Sequence, residues 1–174
     1  MTNDKQLNAE RIWQAQAELK NDQIIILPTD TIYGLSARVH GDNEERINEL
    51  KNADIWKPLI ILVSNLDMAK NMVEGSEDDF KKLESAEPTT VIFKEKNGPD
   101  TLAIRLVKRD DLIKIIDQIG PIYSTSVNTH GEEPITDVDK LENWNRKVEL
   151  FSVGELPIRK PSKIYNSIKK EYIR

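Results

Sequence analysis

A chain of 174 residues, 38% hydrophobic and 32% charged, can bury one core and is too apolar to stay unfolded, so a single domain over residues 1–174 with a heavily ionic surface is expected. The formal net charge of -5 argues against a protein whose main affinity is for nucleic-acid backbone, while leaving room for a local basic groove. The lack of cysteine excludes disulfides, thiolate nucleophiles and cysteine-type zinc sites, and with no signal-peptide core or apolar run of membrane length a cytoplasmic protein without a membrane partner is expected.

The first predicted element is a helix in "LNAERIWQAQAELK", where Ala9, Trp13 and Ala17 recur at i, i+4 with Ile12 and Leu19 nearby. "IIIL" is too short for a helix and reads as a buried strand. It runs into "PTDTIYGL", where Thr29, Asp30 and Thr31 crowd more side-chain oxygens together than a plain turn needs. A polar ligand is expected there. "DNEERINELKNA" offers Asp42 or Asn43 as N-cap of a second helix, with Ile47 and Leu50 on one face. "PLIILV" is the next buried strand, and "NLDMAKNMVEG" a helix with Met68 above Met72 and Gly75 placed to end it. "SEDDFKKLESA" has Ser76 and Asp79 in capping-box register.

"TTVIF" and "TLAIRLV" read as adjacent strands around a turn at Asn97, Gly98 and Pro99. "DDLIKIIDQIG" is a helix ending at Gly120, "PIYSTSV" a strand, "DVDKLENWN" a short helix and "VELFSV" a late strand. The alternation predicts an α/β domain with a mixed sheet.

The motif inventory narrows the chemistry. Neither G-x-x-x-x-G-K-[ST] nor G-x-G-x-x-G occurs, so a phosphate would be held by side chains and isolated helix ends. His40 and His130 each precede a glycine and read as turn residues; no histidine cluster for a metal and no Gly-x-Ser-x-Gly elbow is present. In "TLAIRLV" a period of two puts Leu102, Ile104 and Leu106 on a core face and Thr101, Ala103 and Arg105 on the other. Arg105 then belongs either to a ligand site or to a solvated face or structural ion pair. Ser124, Ser126 and Asn128 share a face, as a ligand wall or as an edge strand entering an Asx turn. Lys51 near a helix end, taken alone, reads as plain dipole chemistry.

Taken together, "PTDTIYGL", "LKNADIWKPLIILV", "TLAIRL", "STSVN" with Gly131 and Thr136, and "PSKIYNSIKKEYIR" stand in the order and spacing of the YrdC-like family, and the chain resembles its short single-domain form from about Ile24 onward. That resemblance implies a twisted mixed sheet flanked by helices around a central concave pocket. It implies L-threonylcarbamoyladenylate synthesis from L-threonine, bicarbonate and ATP with Mg2+, the product passing to a threonylcarbamoyl transferase acting on tRNA. By the same resemblance Thr29 and Thr31 form a threonine-side wall, Arg105 meets the carboxylate, and Ser126 and Ser162 contact the amino acid or carbamate. Lys51 is the lysine of a Lys-x-Arg motif and, with Arg105, a catalytic residue; Lys57, Thr101, Asn128, Thr136 and Arg174 face the nucleotide, whereas Tyr33 and Gly34 shape the loop.

Three positions depart from the family pattern. Ala53 replaces the arginine of Lys-x-Arg, Lys163 the threonine of a Ser-Thr pair, and Asn166 an aspartate. Lys57 or Lys163 is a candidate substitute for the missing charge. The alternative is a catalytically weakened member acting as an RNA- or nucleotide-binding module, with weak RNA binding.

Overall fold

The apolar runs of the sequence form the middle of one mixed sheet in the computed structural model, which describes residues 4–174. Among the described residues the strands are β1 (Ile25–Leu27), β2 (Gly34–Arg38), β3 (Ile60–Val63), β4 (Val73–Glu74), β5 (Thr89–Glu95), β6 (Thr101–Leu106), β7 (Ile122–Ser126), β8 (Glu149–Leu150), β9 (Lys163–Asn166) and β10 (Glu171–Tyr172). The helices are α1 (Ala9–Lys20), α2 (Asn43–Leu50), α3 (Leu66–Met72), α4 (Glu77–Lys82), α5 (Asp110–Ile119) and α6 (Val138–Trp144). Strand order is β10-β9-β5-β6-β3-β7-β2-β1-β8, with β4 added on β5. No helix among the described residues is long and apolar enough to cross a membrane.

Register decides what shares a face. Leu62 of β3 is aligned with Arg105 of β6 on one side and Ile122 of β7 on the other, while Gly34 and Ser36 of β2 meet Ser126 and Ser124. Side chains aligned across a sheet point the same way, so Arg105, Leu62, Ile122, Ser124 and Ser126 share one face. Helices α1 and α5 cover its apolar half through Leu19, Leu112 and Ile116 packed on Leu27, Leu62 and Ile122. The polar half stays open. The opposite face carries two apolar clusters, one with Ile47 of α2 and Leu141 of α6, the other with Ala69 of α3 and Phe80 of α4.

The capping box is present: Ser76 Oγ accepts from the Asp79 N–H at 3.2 Å, and Asp79 Oδ2 from the Ser76 N–H at 3.1 Å. Two expectations are corrected. Helix α1 buries Ile12, Ala15 and Leu19, and Trp13 is 67% exposed, so the inward stripe is rotated from the Ala9–Trp13–Ala17 line. Helix α3 ends at Met72 because Val73 and Glu74 pair with Glu95 and Lys94; Gly75 instead lies under the Phe93 ring, 2.8 Å from where a Cβ would stand. Strands β2, β4, β9 and β10 were not predicted. They are two to five residues long, too short for periodicity to register.

Candidate active site

The chain leaves β1 at Pro28 and turns through the oxygen-rich loop. Thr29 Oγ accepts from the Thr31 N–H at 3.1 Å, lies 3.2 Å from the Thr31 hydroxyl and donates to the Ile32 carbonyl. Asp30 Oδ2 accepts from the Lys108 N–H at 3.1 Å. Two of the three side chains therefore hold the loop, and Thr31 keeps the freer hydroxyl. The Tyr33 ring is buried, and its hydroxyl donates to the Gly154 carbonyl at 2.6 Å while accepting from the Val153 N–H at 2.9 Å. At Gly34 an added Cβ would lie 2.4 Å from Ser124 Oγ, with the Thr125 carbonyl at 3.4 Å and Thr29 Cγ2 at 3.5 Å. The absence of a side chain here lets the Ser124 hydroxyl sit against β2.

Loop, sheet and tail enclose a cavity of about 620 Å³, within the usual range for small-molecule sites. Thr29, Thr31, Lys57, Arg105, Ser126, Thr136, Ser162 and Arg174 line it, together with Ser124, Glu133, Arg159 and Lys160. Five of these residues are lysine or arginine and one is acidic, so the cavity suits an anion.

Arg105 is the most telling group. It is 5% exposed, its Nε has no hydrogen-bond partner, and no carboxylate among the described residues lies within ion-pair distance. Burial lowers its pKa to about 10, against the pull of Asp30 and with a further push from Arg174. A buried guanidinium left this bare is costly unless a ligand completes it.

Lys51 stands behind the wall. Its Nζ donates to the Ser126 carbonyl at 2.7 Å, Thr125 Oγ1 at 3.1 Å and Asn128 Oδ1 at 3.2 Å, with Ser126 Oγ at 3.3 Å. Asn128 Oδ1 also accepts from Ser126 Oγ at 2.6 Å, and its amide nitrogen donates to the carbonyls of Thr129 and Glu132. The Ser-x-Asn segment is thus pinned from behind by one ammonium group. Desolvation, and secondarily Lys57, lowers the Lys51 pKa to about 8.

At the tail, Ser162 Oγ lies 2.9 Å from Thr90 Oγ1, and the Ser162 carbonyl accepts from Arg174 Nε at 2.9 Å, which holds Arg174 in the cavity lining. Lys163, offered as a substitute cation, is on the outside and pairs with Glu87 at 3.2 Å. Thr101 is exposed at the far end of β6, opposite Lys94, and is not brought to the cavity. Four residues of strand, about 13 Å, separate it from Arg105. The sequence reading missed Arg159, Lys160 and Glu133; the only signal was an adjacent Arg-Lys pair before Pro161 and Ser162.

Comparisons with known proteins agree with this architecture. Residues 17–174 match the Sua5/YciO/YrdC domain, described as telomere recombination. A putative threonylcarbamoyl-AMP synthase of Methanocaldococcus jannaschii is 33% identical over 84% of this chain and 75% of its own length. The threonylcarbamoyl-AMP synthase of an Enterobacter species is 28% identical over 94% of both chains. The fold is that of the P. abyssi Sua5 crystal structure complexed with L-threonine, at 21% identity and a TM-score of 0.78, over 89% of this chain and 51% of that one, so this chain spans about half of that longer protein. With nearly the whole sequence matched and the fold shared, the chain belongs to the Sua5/YciO/YrdC family.

Proposed function

We propose that this chain is an L-threonylcarbamoyl-AMP synthase. The amine of L-threonine and bicarbonate condense to a carbamate with loss of water. A carbamate oxygen then forms a bond to the α-phosphorus of ATP while the bond from that phosphorus to the β-phosphate bridge breaks, and pyrophosphate leaves. The nucleophile is already an anion, so the protein has to position reactants and offset charge rather than supply a covalent group.

The bare, buried Arg105 is the observation that carries this reading, because a planar guanidinium facing the cavity suits the threonine carboxylate. Thr31, Ser124 and Ser126 face the amino acid and carbamate, with Thr29 and Lys51 holding the two walls they stand on. Lys57, Lys160 and Arg174 take the phosphates, and Thr136 the nucleoside side. Magnesium enters with ATP as part of the substrate. The product is an activated carbamoyl donor for a transferase that modifies tRNA adenosine.

A second reading, a nucleotide-binding relative without turnover, is favoured by Ala53 alone. Pyrophosphate release with ATP, L-threonine and bicarbonate, each omitted in turn, separates the two. The synthase releases pyrophosphate only in the complete mixture; a chain that binds ATP and threonine yet stays silent in that mixture is the second kind.

A further inference from the structure

Resting on the synthase reading, a second cavity guanidinium besides Arg105 stands out, because it is held by a residue near the start of the chain. Arg159 enters the cavity from the segment between β8 and β9, with its side chain 22% exposed. Its Nη1 donates to the Asp30 carbonyl at 3.1 Å and its Nη2 to Asp4 Oδ1 at 2.6 Å. The second Asp4 oxygen accepts from Arg109 Nη1 at 3.2 Å. Arg109 is fully buried and pairs with the equally buried Asp111 through bonds of 3.0 and 2.8 Å.

The same cluster fastens the backbone on either side of Asp4. Arg109 Nη2 donates to the Lys5 carbonyl at 2.8 Å, the Leu7 N–H donates to Asp111 Oδ2 at 3.0 Å, and Gln6 Oε1 accepts from the Asp111 N–H at 2.9 Å. Residues 4–7 are therefore clamped to the start of α5. Such a buried network is stable only when every member is bonded, and here the Arg109–Asp111 pair already answers itself. Asp4 extends the network to a residue that lines the cavity. Two directed bonds fix the Arg159 guanidinium and leave three of its five N–H groups for a ligand.

We propose that Asp4 is a positioning residue, holding Arg159 as a second oxyanion-binding guanidinium in the same cavity as Arg105. Asp4 lies before residue 17, where the family match begins, so the clamp is built by a segment outside the matched domain. The oxyanion is a nucleotide phosphate or the threonine carboxylate, and binding measurements tell these apart.

Calorimetric titration of inorganic triphosphate and of L-threonine, on the full chain and on Arg159→Ala, Asp4→Asn and the double variant, tests the proposal. Arg159→Ala weakens one of the two ligands by about tenfold or more, and Asp4→Asn weakens the same ligand by about three- to tenfold. In the double variant the loss equals that of Arg159→Ala alone, because Asp4 acts only through Arg159. A merely structural Asp4 would give additive losses and a lowered Tm with no preference between ligands, and additivity overturns the proposal. So does Arg159→Ala with both affinities within twofold of wild type, a variant that keeps the buried Arg109–Asp111 pair and decides the question even where Asp4→Asn fails to fold. Wild-type affinity for the two ligands tests the synthase reading itself; the ratio of variant to wild type tests the clamp.

Discussion

Lys51 Nζ lies 2.7 Å from the Ser126 carbonyl and 3.2 Å from Asn128 Oδ1, which makes one buried ammonium the hinge pin of the Ser-x-Asn wall. Its pKa of about 8 sets two opposite pH responses. Between about 8 and the ordinary 10.5 the unfolded chain binds more protons at this lysine than the folded one, so stability rises with pH across that window. Activity that needs the cation falls across the same window, starting near pH 8. A pH–rate profile beside a pH–Tm profile checks both signs, and kcat/KM flat to pH 10 would show that Lys51 is not desolvated as described.

Arg105→Ala weakens L-threonine binding by about 2 to 4 kcal/mol, the cost of removing a desolvated carboxylate partner. The ligand-free protein should lose no stability, because the substitution also removes an uncompensated buried charge. Arg105→Lys does not restore binding, since a point charge on a flexible stem lacks the planar fork. Calorimetry with a parallel Tm measurement reads all three outcomes. A large fall in Tm without ligand would make Arg105 a structural residue.

Much of this site is legible in the sequence, and for a definite reason. A period of two needs only a strand, so Arg105 on the face opposite Leu102, Ile104 and Leu106, and the shared face of Ser124 and Ser126, could be read from alternation. The inward face of α1 could not. Counting i, i+4 selects Ala9, Trp13 and Ala17, whereas the helix buries Ile12, Ala15 and Leu19, and a shift of one residue turns a helix by about 100°. Arg159 was illegible for another reason: its anchor Asp4 is 155 positions away, and the parallel pairing of β1 with β8, together with the Tyr33 hydroxyl bonded to Val153 and Gly154, brings that part of the chain near the loop after β1. From its own neighbourhood Lys51 reads as an ordinary helix-end lysine, and only the family resemblance singles it out, because its partners Thr125, Ser126 and Asn128 lie 74 to 77 positions further along the chain.

Threonine should bind better than valine by about tenfold or more, because a site that bonds a substrate hydroxyl leaves buried groups unpaired when it is absent. Thr31, Ser124 and Ser126 are the hydroxyls available on the cavity wall. Equal affinities by calorimetry would mean that the site reads only the carboxylate and ammonium.

Gly34→Ala tests how closely loop and strand approach. The added methyl would stand 2.4 Å from Ser124 Oγ, with the Thr125 carbonyl at 3.4 Å and Thr29 Cγ2 at 3.5 Å. Ser124 is the neighbour that must give, and turning its hydroxyl away alters the cavity wall. The variant should lose about 1 to 3 kcal/mol of stability. Ser124→Ala in the same chain removes the closest atom and should recover most of that loss in a denaturant titration. No recovery would place the strain in the backbone.

Two lysines are candidates to replace the arginine absent at residue 53, and they are placed differently. Lys57 lines the cavity, whereas Lys163 lies outside it, half exposed and paired with Glu87 at 3.2 Å. An exposed pair of that kind is worth little and is screened by salt. Lys57→Ala should therefore lower the rate of ATP-dependent pyrophosphate release by about 100-fold, the usual effect of losing one contact to a developing transition-state charge. Lys163→Ala should leave that rate within twofold. Ala53 does not line the cavity, which already holds Lys57, Arg105, Arg159, Lys160 and Arg174, so Ala53→Arg should change the rate only modestly. A strong gain from Ala53→Arg in a chain otherwise nearly silent would mean that none of those five cations reaches the transferring phosphate, and the chain would then be a binding protein whose lost arginine ended its catalysis.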